Sequence, residues 1–282
     1  MKDIIGRIFP LGSQNLHNLQ LYHKQSFSPV STSLIIGRPQ SNKTAMLMQA
    51  AISEGASGKQ VLFIAPSKIT NLPLSVHGML PPTSSTMKNI HMLYATSTIE
   101  LQGYLASLHL IPRGDLPSLI AVDDLKSYVP INYIDDLTQC LPNVKMARIL
   151  SLIQEAAGYC QDSLANQMNT SSSQSSSNMG QVCNSGNPCG ILMSWTNFNT
   201  DLLKVDELKK FAKDYCHNVW TVKQLKMQGS SSLSQKYEME DTFEDASCRI
   251  SFMVRKSSSM SQDIVLQQAV LEQEGEHEES ST

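Results

Sequence analysis

Lys43 and Thr44, closing the run Gly37-Arg38-Pro39-Gln40-Ser41-Asn42-Lys43-Thr44, have the residue types and spacing that handle a polyphosphate. The lysine ammonium can reach phosphate oxygens and the hydroxyl can hold Mg²⁺, while the backbone N–H groups before them converge on the phosphates if the chain turns tightly. Such loops usually carry a glycine before the lysine, and here that place is taken by Asn42. Asparagine tolerates positive φ better than other non-glycine residues, so the loop is still expected to close. A second landmark is Asp123, at the end of the apolar run Leu119-Ile120-Ala121-Val122. A carboxylate at the C-terminal end of a buried strand, beside a phosphate loop, can hold the water shell of Mg²⁺. Asp124 could serve instead, or the two acids could cap the following turn. The expected ATP contacts are therefore Gly37, Arg38, Pro39, Gln40, Ser41, Asn42, Lys43 and Thr44, with Thr44 and Asp123 at the Mg²⁺; no catalytic residue is identified. A chance match in a polar loop of some other α/β protein stays open.

This chemistry needs a strand before the loop and a helix after it. Leu34-Ile35-Ile36-Gly37 reads as the strand, and Ala45 to Ile52 supplies helix formers with an apolar stripe, so a helix N-terminus would face the phosphates. Gln60 to Ala65 reads as a second buried strand ended by Pro66, followed by a polar, Pro-rich loop through Thr86 and a short strand at Ile90–Tyr94. Ser97 and Glu100 form a capping-box pair at the start of a helix running to Leu108. Residues 131–141 and 146–160 read as helical, Gly190–Thr196 as a buried strand, Lys204–Lys213 as a charged helix, and Val219–Leu271 as β-rich. Three parts are set apart: an N-terminal extension at 1–30, a mobile serine-rich insertion at 169–187 within a core spanning 31–271, and a disordered acidic tail at 272–282.

A chain of 282 residues with ordinary apolar content and a net charge of −3 can bury a full core and carries no excess of basic charge. No apolar stretch is long enough to span a membrane, and the start lacks a signal-peptide core, so the expectation is a soluble intracellular protein with no membrane partner. The six cysteines show no C-x-x-C spacing and read as reduced thiols. Cys216-His217 is a poor ligand pair, because adjacent residues point in different directions.

The loop, the Asp123 strand and the later strand ending Thr196-Asn197 are laid out as in RecA-type recombinases and their eukaryotic paralogues, a resemblance covering roughly residues 33 to 268. Gln60-Val61-Leu62-Phe63, Ser97 to Leu101, Pro117 to Asp123 with Leu125 and Tyr128, and Cys189 to Met193 resemble more narrowly the SWIM-zinc-finger-associated family of the metazoan Shu complex. The resemblance implies a RecA-like P-loop core of α/β class with a mostly parallel central sheet. It also implies a nuclear protein that partners a SWIM-domain zinc-finger protein and associates with the strand-exchange recombinase and its paralogues. Such a protein would support recombinase filaments on single-stranded DNA in homologous-recombination repair of double-strand breaks, with weak ATPase activity. Two departures bear on hydrolysis: Ala65-Pro66-Ser67 stands where active recombinases carry a catalytic glutamate, and Phe198 where a sensing glutamine is usual.

Direct contact with single-stranded DNA draws little from composition, since no long basic run occurs. Lys204, Lys209, Lys210 and Lys213 could line one helix face, extended by Lys223 and Lys226 or by Arg255 and Lys256, although such clusters commonly form a solvated face. Two other classes remain open. A small-molecule kinase would need a lid with clamping arginines, of which the chain offers few. A nucleotide-independent scaffold with a degenerate loop is permitted by Asn42 and by the absent glutamate.

Overall fold

The computed structural model describes residues 7–8, 31–70, 75–76, 82–129, 142–171, 189–198, 205–225, 234–243, 246–256 and 262–273. The expected helix at 131–141, residues 172–188 of the serine-rich run and its flank, and residues 274–282 lie outside this set.

Among the described residues ten strands form one sheet in the order β3-β10-β9-β8-β7-β1-β6-β5-β2-β4. They are β1 Thr32–Gly37, β2 Val61–Ala65, β3 Ser75–Val76, β4 Ile90–Tyr94, β5 Leu119–Val122, β6 Gly190–Thr196, β7 Asn218–Leu225, β8 Ser234–Phe243, β9 Ala246–Lys256 and β10 Gln262–Gln273. From β7 to β4 every neighbouring pair is parallel. From β7 to β10 the pairing is antiparallel. The short, wholly buried runs of β1, β2, β5 and β6 are what a parallel sheet covered on both faces requires. The fold is the mixed α/β arrangement expected, with a mostly parallel central part of the sheet in which β6 separates β1, the strand before Lys43, from β5, the strand before Asp123.

Alternate residues of each strand feed two cores. On one face Ile35, Phe63, Ala121 and Leu192 pack against α1 (Lys43–Ala56), together with Tyr237, Met239, Ile250 and Phe252 of the antiparallel arm. On the other, Leu34, Ile36, Ile64, Val122, Met193 and Trp195 meet α3 (Thr98–Ala106), α4 (Pro142–Ser171) and α5 (Val205–Lys213). In α4, Met146, Ile149, Leu150, Ile153, Ala157 and Cys160 recur at helical spacing and are all buried. That helix runs well past the expected 146–160 stretch, into the first residues of the serine-rich run. The Pro-rich stretch read as a loop contains β3 and a five-residue helix, α2 (Ser84–Lys88), capped by Thr83.

Three local expectations change. Ser97 caps α3 by accepting from the Glu100 N–H at 3.2 Å, but the Glu100 carboxylate reaches one residue further back, to the Thr96 N–H at 2.7 Å and hydroxyl at 3.0 Å. Within the segment read as a peripheral extension, Arg7 and Ile8 are buried. Arg7 Nε pairs with Glu54 Oε1 at 3.2 Å, Lys59 Nζ pairs with Glu54 Oε2 at 3.1 Å, and Ser53 donates to the Arg7 carbonyl at 2.7 Å. Glu54 sits on the core side of α1, and the N-terminal segment supplies one of its two cationic partners. At the other end, Glu272 and Gln273 of the expected tail are strand residues of β10.

Candidate phosphate and cation site

The chain leaves β1 at Gly37, where a side chain is excluded: a Cβ would lie 2.5 Å from Ser41 Oγ and 3.3 Å from Val222 Cβ. It then folds through a tight turn, Ser41 N–H donating to the Arg38 carbonyl at 3.3 Å. Asn42 adopts φ 61°, the left-handed conformation its type tolerates, and its carbonyl accepts from Met46 N–H at 3.1 Å in the first turn of α1. Gln40 is also left-handed, at φ 62°, and no sequence rule pointed to it. Alternating left-handed residues make the concave row of backbone amides that anions occupy.

Lys43 turns inward. Its Nζ donates to the Gly37 carbonyl at 3.1 Å, the Arg38 carbonyl at 2.7 Å and Ser41 Oγ at 3.0 Å, so that the loop's own oxygens hold the ammonium. Burial draws its pKa down to about 8, against the opposing pull of Asp123 and Asp124. Every partner is an oxygen acceptor, the kind of group a phosphate would substitute.

Thr44 and Asp123 meet although they are far apart in sequence: Thr44 Oγ1 donates to Asp123 Oδ2 at 2.7 Å. The other carboxylate oxygen, Oδ1, accepts from Ser194 Oγ at 2.7 Å, and that hydroxyl in turn accepts from Asp124 N–H at 2.8 Å. Ser194 was not foreseen as a site residue. Its signal was the single hydroxyl inside the apolar run Ile191-Leu192-Met193-Ser194-Trp195. Asp124 has φ 47° and is held by Ser127 Oγ at 2.5 Å and by Thr196 N–H at 3.3 Å, so its carboxylate caps the turn while Asp123 faces Thr44. Asn197 N–H donates to the Gly37 carbonyl at 2.9 Å, tying the end of β6 to the loop.

Burial raises the Asp123 pKa, Asp124 adds to the rise, and the hydrogen bonds from Ser194 and Thr44 and the charge of Lys43 work against it. Two acids and one ammonium leave this corner short of positive charge. Hydroxyl and carboxylate oxygens suit a hard divalent cation that keeps several waters, so the donor set fits Mg²⁺.

Other sequence-derived features are distributed differently. β2 ends at Ala65, with Pro66 half-buried and Ser67 exposed, and no carboxylate stands there. Phe198, half exposed, lies with its ring 4.5 Å from Lys126 Nζ. Of the basic residues proposed as one face, Lys223 is paired with Glu240 at 3.0 Å, whereas Lys209, Lys210 and Lys213 lie on α5. Lys204 and Lys226 lie outside the described residues. Cys216 is buried and His217 Nδ1 accepts from the Thr32 N–H at 3.0 Å, which spends the ring nitrogen on β1. Cys160, Cys189 and Cys216 are free thiols, and among the described residues no helix is long and apolar enough to cross a membrane.

Over 97 residues the chain is 35% identical to human ATPase SWSAP1, a stretch covering 34% of this chain and 41% of that protein. The chain spans about two-fifths of the length of the curated relative it matches. No family model matches. A crystal structure of the RadB recombinase aligns with 83% of this chain and 90% of its own, at 12% identity and a TM-score of 0.47.

Proposed function

We propose that the chain binds ATP and Mg²⁺ through Gly37–Thr44 and Asp123, and works as a recombinase-paralogue-like subunit of homologous-recombination repair. In this reading its partner is a SWIM-domain zinc-finger protein, and together they promote assembly of the strand-exchange recombinase on single-stranded DNA in the nucleus. The observation that carries the nucleotide half is the bond between Thr44 and Asp123 across two non-adjacent strands, beside an ammonium held by loop oxygens. The similarity to a protein named an ATPase adds to it. The repair half rests on the likeness to SWSAP1 and to the Shu-complex pattern. Nucleotide binding rather than rapid turnover is the working state, because no side chain at the end of β2 can orient an attacking water.

Two measurements test the two halves separately. Saturating ATP·Mg²⁺, at 100 times Kd, should stabilise the fold by about 2.7 kcal/mol, and the absence of any nucleotide-dependent shift would leave the scaffold reading. Affinity purification from cells of its source should recover a SWIM-domain protein, and depletion should reduce recombinase foci after DNA breaks. Failure of both would dismiss the repair assignment while leaving the nucleotide result untouched.

A further inference from the structure

Tyr237, on β8 of the antiparallel arm, touches the candidate loop from 197 positions away in the chain: its hydroxyl lies 3.5 Å from the Gln40 carbonyl oxygen. The same hydroxyl lies 2.7 Å from Gln235 Oε1. Packing explains the ring, which is buried and stacks on Phe252 with centroids 5.3 Å apart and 9° between the planes. A phenylalanine would fill that place equally well. The oxygen is what packing leaves over. Burial holds the phenol above its ordinary pKa, so it keeps a proton to donate.

The carbonyl it meets belongs to the peptide between Gln40, at φ 62°, and Ser41, and no cis peptide occurs among the described residues. A trans peptide is planar, with its C=O and N–H pointing to opposite sides. With the carbonyl turned to the arm, the Ser41 N–H is turned away from it, and there it donates to the Arg38 carbonyl at 3.3 Å. That oxygen also accepts from Lys43 Nζ at 2.7 Å, so the N–H and the ammonium converge on one spot inside the loop. An anion taking the place of the shared oxygen would find both donors waiting, whereas the same peptide turned over would present a carbonyl oxygen to it. The phenol has one proton, and Gln235 is the nearer acceptor. An amide is also a donor, and Gln235 is exposed; once its amide turns over, Nε2 donates to the phenol oxygen and the phenol proton passes to the Gln40 carbonyl.

We propose that Tyr237 is a positioning residue of the phosphate loop, its hydroxyl donating to the Gln40 carbonyl and so keeping the Ser41 N–H turned toward bound phosphates. This deepens the ATP·Mg²⁺ reading and rests on it. The antiparallel arm thereby supports the loop from the side opposite to the anion.

The test is Tyr237→Phe, which removes one oxygen and keeps the stacked ring. The dissociation constants of ATP·Mg²⁺ and of inorganic tripolyphosphate with Mg²⁺ should both rise roughly 3- to 10-fold, the worth of one neutral hydrogen bond, because the loop meets phosphates and not the base. Gln235→Ala, at an exposed position, removes the competing acceptor and should weaken neither. Unchanged constants in Tyr237→Phe overturn the proposal, whatever happens to melting of the nucleotide-free protein, since a merely structural hydroxyl would alter melting alone. A rise for ATP without one for tripolyphosphate overturns it as well, by placing the hydroxyl's effect at the nucleoside. Weaker binding by Gln235→Ala also overturns it, since the phenol would then act through Gln235, and this variant decides alone if Tyr237→Phe does not fold. Wild-type protein that binds neither ligand defeats the nucleotide reading and this role together, whereas wild-type affinity matched by Tyr237→Phe defeats only this role.

Discussion

Replacing Lys43 by methionine probes the loop through stability and through binding, with opposite signs. Folding brings the lysine from an ordinary 10.5 to about 8, chiefly by burial. Between those values the unfolded chain binds more protons than the folded one, so stability rises with pH; the penalty is full below about pH 8 and is relieved toward 10.5. From pH 7 to 9.5 this group alone should add about 2 kcal/mol. Cys216, pushed up to about 12 by burial, acts in the reverse sense, because it stays neutral in the fold while an unfolded thiol ionises. Its contribution cancels in the difference between wild type and Lys43→Met. Phosphate binding needs the ammonium, so ATP·Mg²⁺ affinity should fall over the same range, toward the loss of roughly 10- to 150-fold expected of Lys43→Met from a charge-assisted contact of about 1.5–3 kcal/mol. Urea denaturation and nucleotide titration at pH 7, 8 and 9.5 measure both. A wild-type minus variant stability difference that stays flat within about 0.5 kcal/mol refutes the burial account, and equal nucleotide affinity in the variant refutes the site.

Gln40→Gly should relieve left-handed strain of about 1 kcal/mol and raise the melting temperature by about 2–4 °C, with a smaller gain from Asn42→Gly; calorimetry without nucleotide reads it. Arg7→Ala strands the buried Glu54 carboxylate with only its half-exposed lysine partner and should cost about 3–5 kcal/mol in urea denaturation, an effect that a peripheral extension could not produce. Ser194→Ala removes a donor from Asp123 and an acceptor from the Asp124 N–H, with an expected loss of roughly 1–3 kcal/mol; a variant as stable as wild type would show that Ser194 organises neither acid. Steady-state hydrolysis of ATP should run well below the about 10 s⁻¹ of a median enzyme, and a rate near that value would mean that a water-orienting group lies elsewhere.

The central parallel strands were legible because full burial on both faces leaves unbroken apolar runs, and β4 and β6 carry the bounds expected of them. The turn between strand and helix at residues 37–43 was legible because the residue types that phosphate chemistry asks for at fixed spacing also require a strand before them and a helix after them. Gln40 was named as a loop residue but its left-handed conformation was hidden, since the turn from Gly37 to Lys43 imposes it rather than its own preference. Ser194 was hidden for another reason: a single hydroxyl within an apolar stretch leaves the hydrophobic pattern intact, and only the assembled sheet reveals that it faces Asp123. Arg7 escaped notice because its partner, Glu54, lies on a helix whose polar residues normally face solvent, and periodicity cannot show a charge turned inward.

β1 has as its two neighbours β6 and β7, both drawn from residues beyond 189. During synthesis the strand that carries the loop therefore leaves the ribosome with both edges open, and stays so while more than half of the chain follows. Its six residues are all destined for burial, a composition that pairs readily with any other exposed edge. Thr44 after β1 and Asp123 after β5, the two partners of the candidate site, cannot be brought into register until β6 arrives between them. A chain cut short before that strand lacks more than its C-terminal part: the strand that carries the candidate loop has no sheet to join.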